Sequence, residues 1–271
     1  MTSFSIAIPS SILSVEPDLL FKTIRIHQVI RYCSIFRVYK IVVYRDPFTN
    51  LSEHFEYVVL FSKIDRFIKT PPYLRKKLVP LDDDLKYVGV LPPLRLLIYS
   101  VSKKGIIGEK RLGVIVENDC VDIGLNKCFK ITDYNNCSYS DELITVEIVS
   151  LDPPLVKCID DNIYRGPVLE YSNSFSSAID VLKRESDLLI ATSRRGVVPK
   201  TSDLLKLSGF NKITLFFGSP HYGLYEIAER ENIVLENVFD YVWNTIPRQG
   251  VKTVRTEEAL ISTLAILNII V

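Results

Sequence analysis

The feature that most constrains this chain is a change of rhythm, from α/β to short-strand β and back. Ser3-Phe4-Ser5-Ile6-Ala7-Ile8 alternates and stops at Pro9, which predicts a strand. From Leu19 to Phe36 apolar residues recur at helical spacing, with Ile26, Val29, Ile30 and Cys33 on one face. Tyr39 to Tyr44 is a β-branched strand ended by Asp46-Pro47, and a second helix runs from Ser52 to Phe67, before Pro71-Pro72. Such an order favours a parallel sheet with covering helices.

Between Pro92 and Ile163 the texture changes to short alternating runs: Leu96 to Val101, Arg111 to Val116, Cys120 to Ile123, and Leu143 to Val149. Turn signals separate them, among them Lys104-Gly105, Glu117-Asn118-Asp119 and Tyr134-Asn135-Asn136. Strands of that length and spacing predict a small β-barrel or sandwich of OB-like size, bracketed by Pro92-Pro93 and Asp152-Pro153-Pro154. After Arg165-Gly166-Pro167 the α/β rhythm returns. A helix around Phe175 to Leu182 and strands at Asp187–Thr192, Ile213–Phe217 and Phe239–Trp243 follow, with helices between them and an apolar closing segment, Leu260 to Val271. The expected organisation is a discontinuous α/β domain, 1–90 and 164–271, carrying an inserted β domain, 91–163.

Composition removes some functions. A net charge of +1 provides no global field toward nucleic acid, so any such site must be a local basic patch. The five cysteines are odd in number and lack a CxxC pair, which argues against a disulfide framework or zinc ribbon and suits a reducing, cytoplasmic setting. The closing apolar run is shorter than the ~20 residues of a membrane span, and the N-terminus lacks a secretory pattern, so no membrane association is expected. No GxGxxG, GxxxxGK[ST] or GxSxG occurs. His27, His54 and His221 lie far apart, and no metal site is expected.

The last three strands each leave through a loop of small or polar residues: Thr192 to Gly196, Gly218 to Gly223, and Asn244 to Thr256. In open α/β sheets ligands bind beyond the carboxyl ends of the strands, so these loops form the candidate pocket. Thr256 is placed to cap the final helix, with Glu257 and Glu258 in its first turn. Those carboxylates would repel a phosphate, so the loop suits a cationic or zwitterionic ligand. Basic residues gather at Lys63 to Lys77, including Arg75, Lys76 and Lys77 around Tyr73, at Lys103-Lys104 with Lys110-Arg111, and at Arg194-Arg195. Point charges with an aromatic among them, beside an OB-like insert, are the makings of an RNA surface.

Several stretches together resemble a known family. They are Ser5 to Leu13, Pro72 to Lys76, Leu85 to Pro92, Ala191 to Gly196, Phe217-Gly218, Asn244 to Gly250, and Arg255 to Ala259. The chain resembles the SPOUT superfamily of RNA methyltransferases, in the archaeal and eukaryotic branch with an OB-like insertion that acts on rRNA uridine N3. That resemblance implies a trefoil knot near the C-terminus, S-adenosyl-L-methionine bent in the three loops, and a homodimer acting on RNA. It implies cofactor contacts from Thr192, Arg194, Gly218, Asn244, Thr245, Gly250, Val254, Arg255 and Thr256, with Arg255 also the catalytic candidate. Arg75, Lys76, Lys77, Lys103, Lys104 and Arg195 are the expected RNA contacts. Arg248 and Gly218-Ser219-Pro220-His221 depart from the smaller, more glycine-rich pattern of that family. The rival expectation is a non-catalytic RNA- or ribosome-binding protein that retains the fold.

Overall fold

The computed structural model describes residues 2–117, 120–137, 142–160 and 163–270. The chain opens with β1 (Ser3–Pro9), α1 (Leu19–Ile35), β2 (Lys40–Tyr44), α2 (Leu51–Lys69) and a single-turn α3 (Arg75–Leu78). Next come β3 (Lys110–Glu117), β4 (Cys120–Asp122), β5 (Phe129–Ile131), β6 (Ile144–Leu151) and β7 (Pro154–Cys158). The last part holds β8 (Val168–Ser172), α4 (Phe175–Glu185), β9 (Leu188–Val197), α5 (Thr201–Lys206), β10 (Lys212–Phe216), α6 (Leu224–Arg230), α7 (Leu235–Val238), β11 (Tyr241–Trp243) and α8 (Thr256–Asn268). Two compact units result, Met1–Asp65 with Asp84–Leu91 and Gly166–Val271, and Arg66–Asp83 with Pro92–Arg165.

The first unit is built on a six-stranded sheet in the order β11-β9-β10-β1-β2-β8. Every pairing in it is parallel. Parallel sheets bury both faces. On one face Ala7, Val42, Tyr44, Ala191 and Phe216 pack with Phe175, Ala178 and Leu182 of α4 and Leu224 and Ile227 of α6. Alternation turns Ile6, Ile8, Ile41 and Val43 to the other face, also buried. There α1 and α8 lie side by side, contributing buried Ile26, Val29 and Ile30 and buried Leu260, Leu264 and Leu267. Capping fixes where helices begin: Asp18 accepts the amide of Phe21 at 3.0 Å, and Ser174 that of Ser177 at 3.0 Å.

The second unit is a closed barrel of five strands in the order β3-β4-β5-β7-β6, all antiparallel except β5 with β7. Its core is Val121, Ile123, Phe129, Ile131, Ile144, Val146, Ile148 and Val156.

Several sequence expectations need correction. The run Leu96 to Val101 forms a 3-10 turn, Leu97–Tyr99, and not a strand. Its alternation is real, since Leu94, Leu96 and Ile98 are buried and Leu97 is exposed, but Arg95 has a φ of 52°, which breaks the extended path. Asp152-Pro153 forms the turn between β6 and β7 and Pro154 opens β7, so the triplet is inside the barrel and not at its border. Strands β5, β7 and β8 were not foreseen, because each is five residues or fewer, too short for a pattern such as the Phe129-Lys130-Ile131 alternation of β5 to stand out. Asn118 and Asp119 of the expected turn fall outside the described residues.

The cysteine expectation is overturned as well. Cys120 pairs with Cys128 and Cys137 with Cys158, while Cys33 is a buried thiol outside both disulfides. The Cα separations are 5.6 Å and 5.1 Å, within the ordinary range for a disulfide. Counting could not reveal them, since only the pairing of β4 with β5, and of β5 with β7, brings the partners together. Among the described residues no helix is long and apolar enough to cross a membrane.

Candidate active site at the carboxyl edge of the sheet

The pocket begins with an irregularity in strand pairing. Val242 of β11 is opposite Ala191 of β9, yet the next residue, Trp243, is opposite Val197. Thr192 to Gly196 therefore leave the ladder and stand out at the sheet's edge. Gly196 permits this: a Cβ there would lie 2.6 Å from the carbonyl oxygen of Val242. The second loop, Gly218 to Gly223, closes on itself through the amide of Ser219 donating to the Tyr222 carbonyl at 2.8 Å. A Cβ on Gly218 would meet the backbone of Gly223 at 3.0 Å and of Leu224 at 3.1 Å. The third loop is Asn244 to Arg255, leading into α8.

Polar side chains tie the loops to one another. Thr192 Oγ1 donates to the Phe216 carbonyl at 2.8 Å, and Thr256 Oγ1 to the Gly218 carbonyl at 2.8 Å. Asn244 Nδ2 donates to the Arg194 carbonyl at 3.0 Å, while Asn244 Oδ1 accepts the amide of Ile246 at 3.1 Å. Arg194 reaches the Lys252 carbonyl at 3.3 Å, and Thr245 meets Thr263 of α8 at 2.7 Å. Both threonine donors are thus committed to main-chain oxygens, which leaves their lone pairs to accept from a ligand. The hollow so framed has a volume of about 340 Å³, within the size range of small-molecule sites.

Of the expected cofactor contacts, Thr192, Arg194, Gly218, Asn244, Thr245, Val254 and Thr256 line this hollow. Gly250 and Arg255 are not part of its wall. Arg255 is exposed, its guanidinium 3.8 Å from Glu16. Sequence reading passed over Glu226, which lines the hollow from the first turn of α6, and gave no individual role to Ser193, Gln249 and Lys252, wall residues within the loops it had chosen. Glu226 carried no signal in sequence, being one more acidic residue on an exposed helix start.

The reason given for expecting a cationic or zwitterionic ligand, carboxylates facing the loop, does not hold. Glu257 turns inward to pair with buried Arg25, and Arg25 also binds Glu16 through Nε at 2.8 Å and Nη2 at 2.6 Å. Glu258 accepts the amide of Arg255 at 2.8 Å. That bond fills the N-terminal cap of α8, so Thr256 is released from the capping role assigned to it. The charged side chains lining the hollow are Arg194, Arg195 and Lys252 against the single carboxylate of Glu226. Its wall is therefore net positive and favours an anionic group.

Beside the hollow, β1 and β2 end in a buried polar cluster. Ser11 donates to Asp46, Thr49 donates to Asp46 at 2.9 Å, and His54 Nδ1 meets Ser10 Oγ at 2.9 Å. Burial, then the nearby Arg45, pushes the His54 pKa below 6.5, with Asp46 opposing. Tyr44 donates to the Phe217 carbonyl at 2.7 Å, and burial, with Asp46 and Glu231 adding, holds its phenol well above 10.

The expected RNA contacts separate into two groups. Arg75 is half-buried, donating to the Thr70 carbonyl at 3.0 Å and lying 4.5 Å from the Phe67 ring, and burial lowers its pKa. Lys77 pairs with Asp122, and Arg195 pairs with Glu226 at 3.1 Å while covering the Tyr225 ring at 4.3 Å. Lys76, Lys103 and Lys104 are exposed. Among the described residues no group of His, Cys, Asp and Glu is arranged to hold a metal ion.

An all-parallel sheet with a polar hollow at the exits of three adjacent strands defines an α/β protein with a ligand site. Within that class the chain belongs to the family described as "Putative RNA methyltransferase", whose model matches residues 3–267, and it is thus an RNA methyltransferase. It is 30% identical to an uncharacterized protein of Haloarcula marismortui, over 98% of both chains. It is 27% identical to the human 28S rRNA (uridine-N(3))-methyltransferase, over 98% of this chain and 78% of that one. A looser likeness, with a TM-score of 0.39 and 10% identity, covers 99% of this chain and 57% of the SpoU methyltransferase AviRb of Streptomyces viridochromogenes, solved with the cofactor AdoMet.

Proposed function

We propose that this protein transfers a methyl group from S-adenosyl-L-methionine to N3 of a uridine in ribosomal RNA. The observation that carries the reading is the hollow itself, framed by three strand exits in a chain matched by an RNA methyltransferase family over residues 3–267. Its donor set suits the cofactor. Arg194 and Lys252 match the amino-acid carboxylate, Glu226 matches the amino group or a ribose hydroxyl, and the lone pairs of Thr192 and Thr256 remain open to donors. Thr192, Arg194, Gly218, Asn244, Thr245, Val254 and Thr256 hold the cofactor on this reading, with Gly250 shaping the loop. When bound, S-adenosylmethionine supplies a methyl group activated by a sulfonium leaving group.

The protein's task is then one of placement. The uridine must be unpaired for N3 to be reached, and holding it in line with the methyl accounts for most of the rate. Arg255 stands exposed at the end of the third loop and is assigned to orient the base and stabilise its developing anion, since arginine does not act as a base at neutral pH. Arg195, Lys76, Lys103 and Lys104 contact RNA phosphates, with Arg75 and Lys77 contributing through the helix they build. The uridine-N3 specificity is supported by the name of the human relative. The parallel and antiparallel order of the barrel, with its third and fifth strands paired in parallel, supports an OB-type insert that binds RNA. A trefoil knot, a homodimer and a cytoplasmic site of action complete the reading.

The test joins calorimetry with S-adenosylmethionine to mass spectrometry of nucleosides from treated rRNA. Micromolar cofactor binding and a new 3-methyluridine are the expected results. RNA binding without any cofactor heat would favour the non-catalytic rival, and sedimentation checks the dimer.

A further inference from the structure

The barrel unit carries an exposed turn whose construction is hard to explain by folding alone. Lys103-Lys104-Gly105-Ile106-Ile107-Gly108 precedes β3. Ile106 and Ile107 are 61% and 64% exposed, side by side in sequence, so neither contributes much apolar burial. Yet the turn that displays them is tightly held. Gly105 and Gly108 have φ of 79° and 83°, a backbone that other residues rarely adopt. Gly105 is itself buried, and a Cβ there would come within 2.8 Å of Leu125.

Hydrogen bonds complete the clamp. The amide of Gly108 donates to the Ile148 carbonyl at 2.8 Å, and that of Glu109 to the Ile106 carbonyl at 3.0 Å. The Glu109 carboxylate accepts the amides of Ser102 at 2.5 Å and Ile106 at 3.3 Å. Behind it, buried Arg111 pairs with Glu109 at 3.2 Å and donates to the Ser102 carbonyl at 2.9 Å. The only carboxylate of the turn is thereby committed inward. Lys103 and Lys104 are exposed and have no ion-pair partner among the described residues.

We propose that Lys103–Gly108 is a rigid RNA wedge, in which Lys103 and Lys104 seat on phosphates and Ile106 and Ile107 enter between stacked bases. Two unneutralised cations flanking a preformed aliphatic edge select a polyanion with an apolar interior. A stacked nucleic acid has that chemistry, and proteins that unstack base steps use such aliphatic wedges. Fixing the turn in advance avoids an ordering cost on binding. The inference rests on the RNA reading above and adds a purpose to it: uridine N3 is concealed in paired RNA, and unstacking exposes it.

The experiment uses the full chain and an RNA hairpin with 2-aminopurine in its stem, scored for binding by anisotropy, for unstacking by fluorescence, and for methyl transfer in the same tube. Wild type should raise the fluorescence severalfold. The Ile106→Ser/Ile107→Ser variant should lose that rise and bind the hairpin about tenfold more weakly, with a far smaller loss on single-stranded RNA. Lys103→Ala/Lys104→Ala should weaken binding to both RNAs and reduce the salt slope by about 2. Circular dichroism melting confirms that each variant is folded. If the isoleucine variant unstacks the stem as wild type does while methyl transfer proceeds, the wedge is overturned and the enzymatic reading stands. If wild type methylates the hairpin without any fluorescence rise, the result is the same. If wild type neither binds nor methylates RNA, the substrate reading falls and the wedge with it. Equal losses of the isoleucine variant on hairpin and single strand would mark a general contact surface and also overturn the wedge.

Discussion

Each unit of the molecule has a buried arginine, and the two are used differently. Arg25 in the sheet unit holds two carboxylates, Glu16 just after β1 and Glu257 in the first turn of α8, residues that lie at opposite ends of the chain. Arg111 in the barrel unit holds one carboxylate, Glu109, two residues away, with the carbonyls of Ser102 and Ile123 and the ring of Tyr73 at 5.1 Å. The first is a long-range tie that anchors the helix carrying Thr256, and so one wall of the hollow. The second is a local brace that stiffens a turn. A buried charge costs several kcal/mol of desolvation, so each arginine persists only with its partners, and removing one exposes how much depends on it.

Removing Arg25 should have the largest effect. Arg25→Met leaves two buried carboxylates, one of them with only the exposed Arg255 near it, and should cost about 3–5 kcal/mol in urea unfolding. Trp243 is the only tryptophan and lies in β11, so its fluorescence reports on the sheet unit. Methyl transfer should fall along with stability, because the first turn of α8 is displaced. Arg111→Met should cost less, about 1–3 kcal/mol, since Glu109 retains its backbone donors and is partly exposed. Its melting should be visible by circular dichroism while the Trp243 signal stays in place. Equal losses in the two variants, both seen at Trp243, would break the contrast between a long-range tie and a local brace.

How much of this was legible in sequence differs by unit for the same reason. In the sheet unit every strand but β8 announces itself by composition, and the loops after the last three strands hold Thr192, Gly218, Asn244 and Thr256, which line the hollow. The long-range tie was not legible. Glu257 looked like a pocket carboxylate, because nothing local reveals that α1 packs beside α8 and offers it Arg25. In the barrel, a strand of three residues such as β5 gives too short a window for alternation to register, although β4, equally short, was caught with Ile123 beside it. The two disulfides likewise depend on strand pairing, and Arg111, read as a surface cation, is in fact almost fully buried. Charge run and exposed patch are different things, and only packing tells them apart.

Acid should separate the units more gently, and in a fixed order. His54 of the sheet unit has a folded pKa below its ordinary 6.5, from burial first and Arg45 second, with Asp46 as the opposing charge. The unfolded chain therefore takes up a proton that the folded chain resists, so this contribution is present above about pH 6.5 and lost as pH falls from there toward the folded value. Glu109 of the barrel unit is also shifted down from 4.5: burial pushes it up, but the Ser102 amide and Arg111 outweigh that. Its contribution is present above about pH 4.5 and is lost only as pH falls below that. Unfolding midpoints followed at Trp243 should thus begin to fall below pH 6.5, ahead of those of the barrel. His54→Asn, which keeps a polar group facing Ser10 but does not titrate, should flatten the sheet unit's profile between pH 6.5 and 5 and leave the barrel's unchanged. A His54→Asn profile parallel to wild type would mean that this histidine is solvated, and that the sheet unit tolerates charge at its carboxyl edge as readily as the barrel does at its surface.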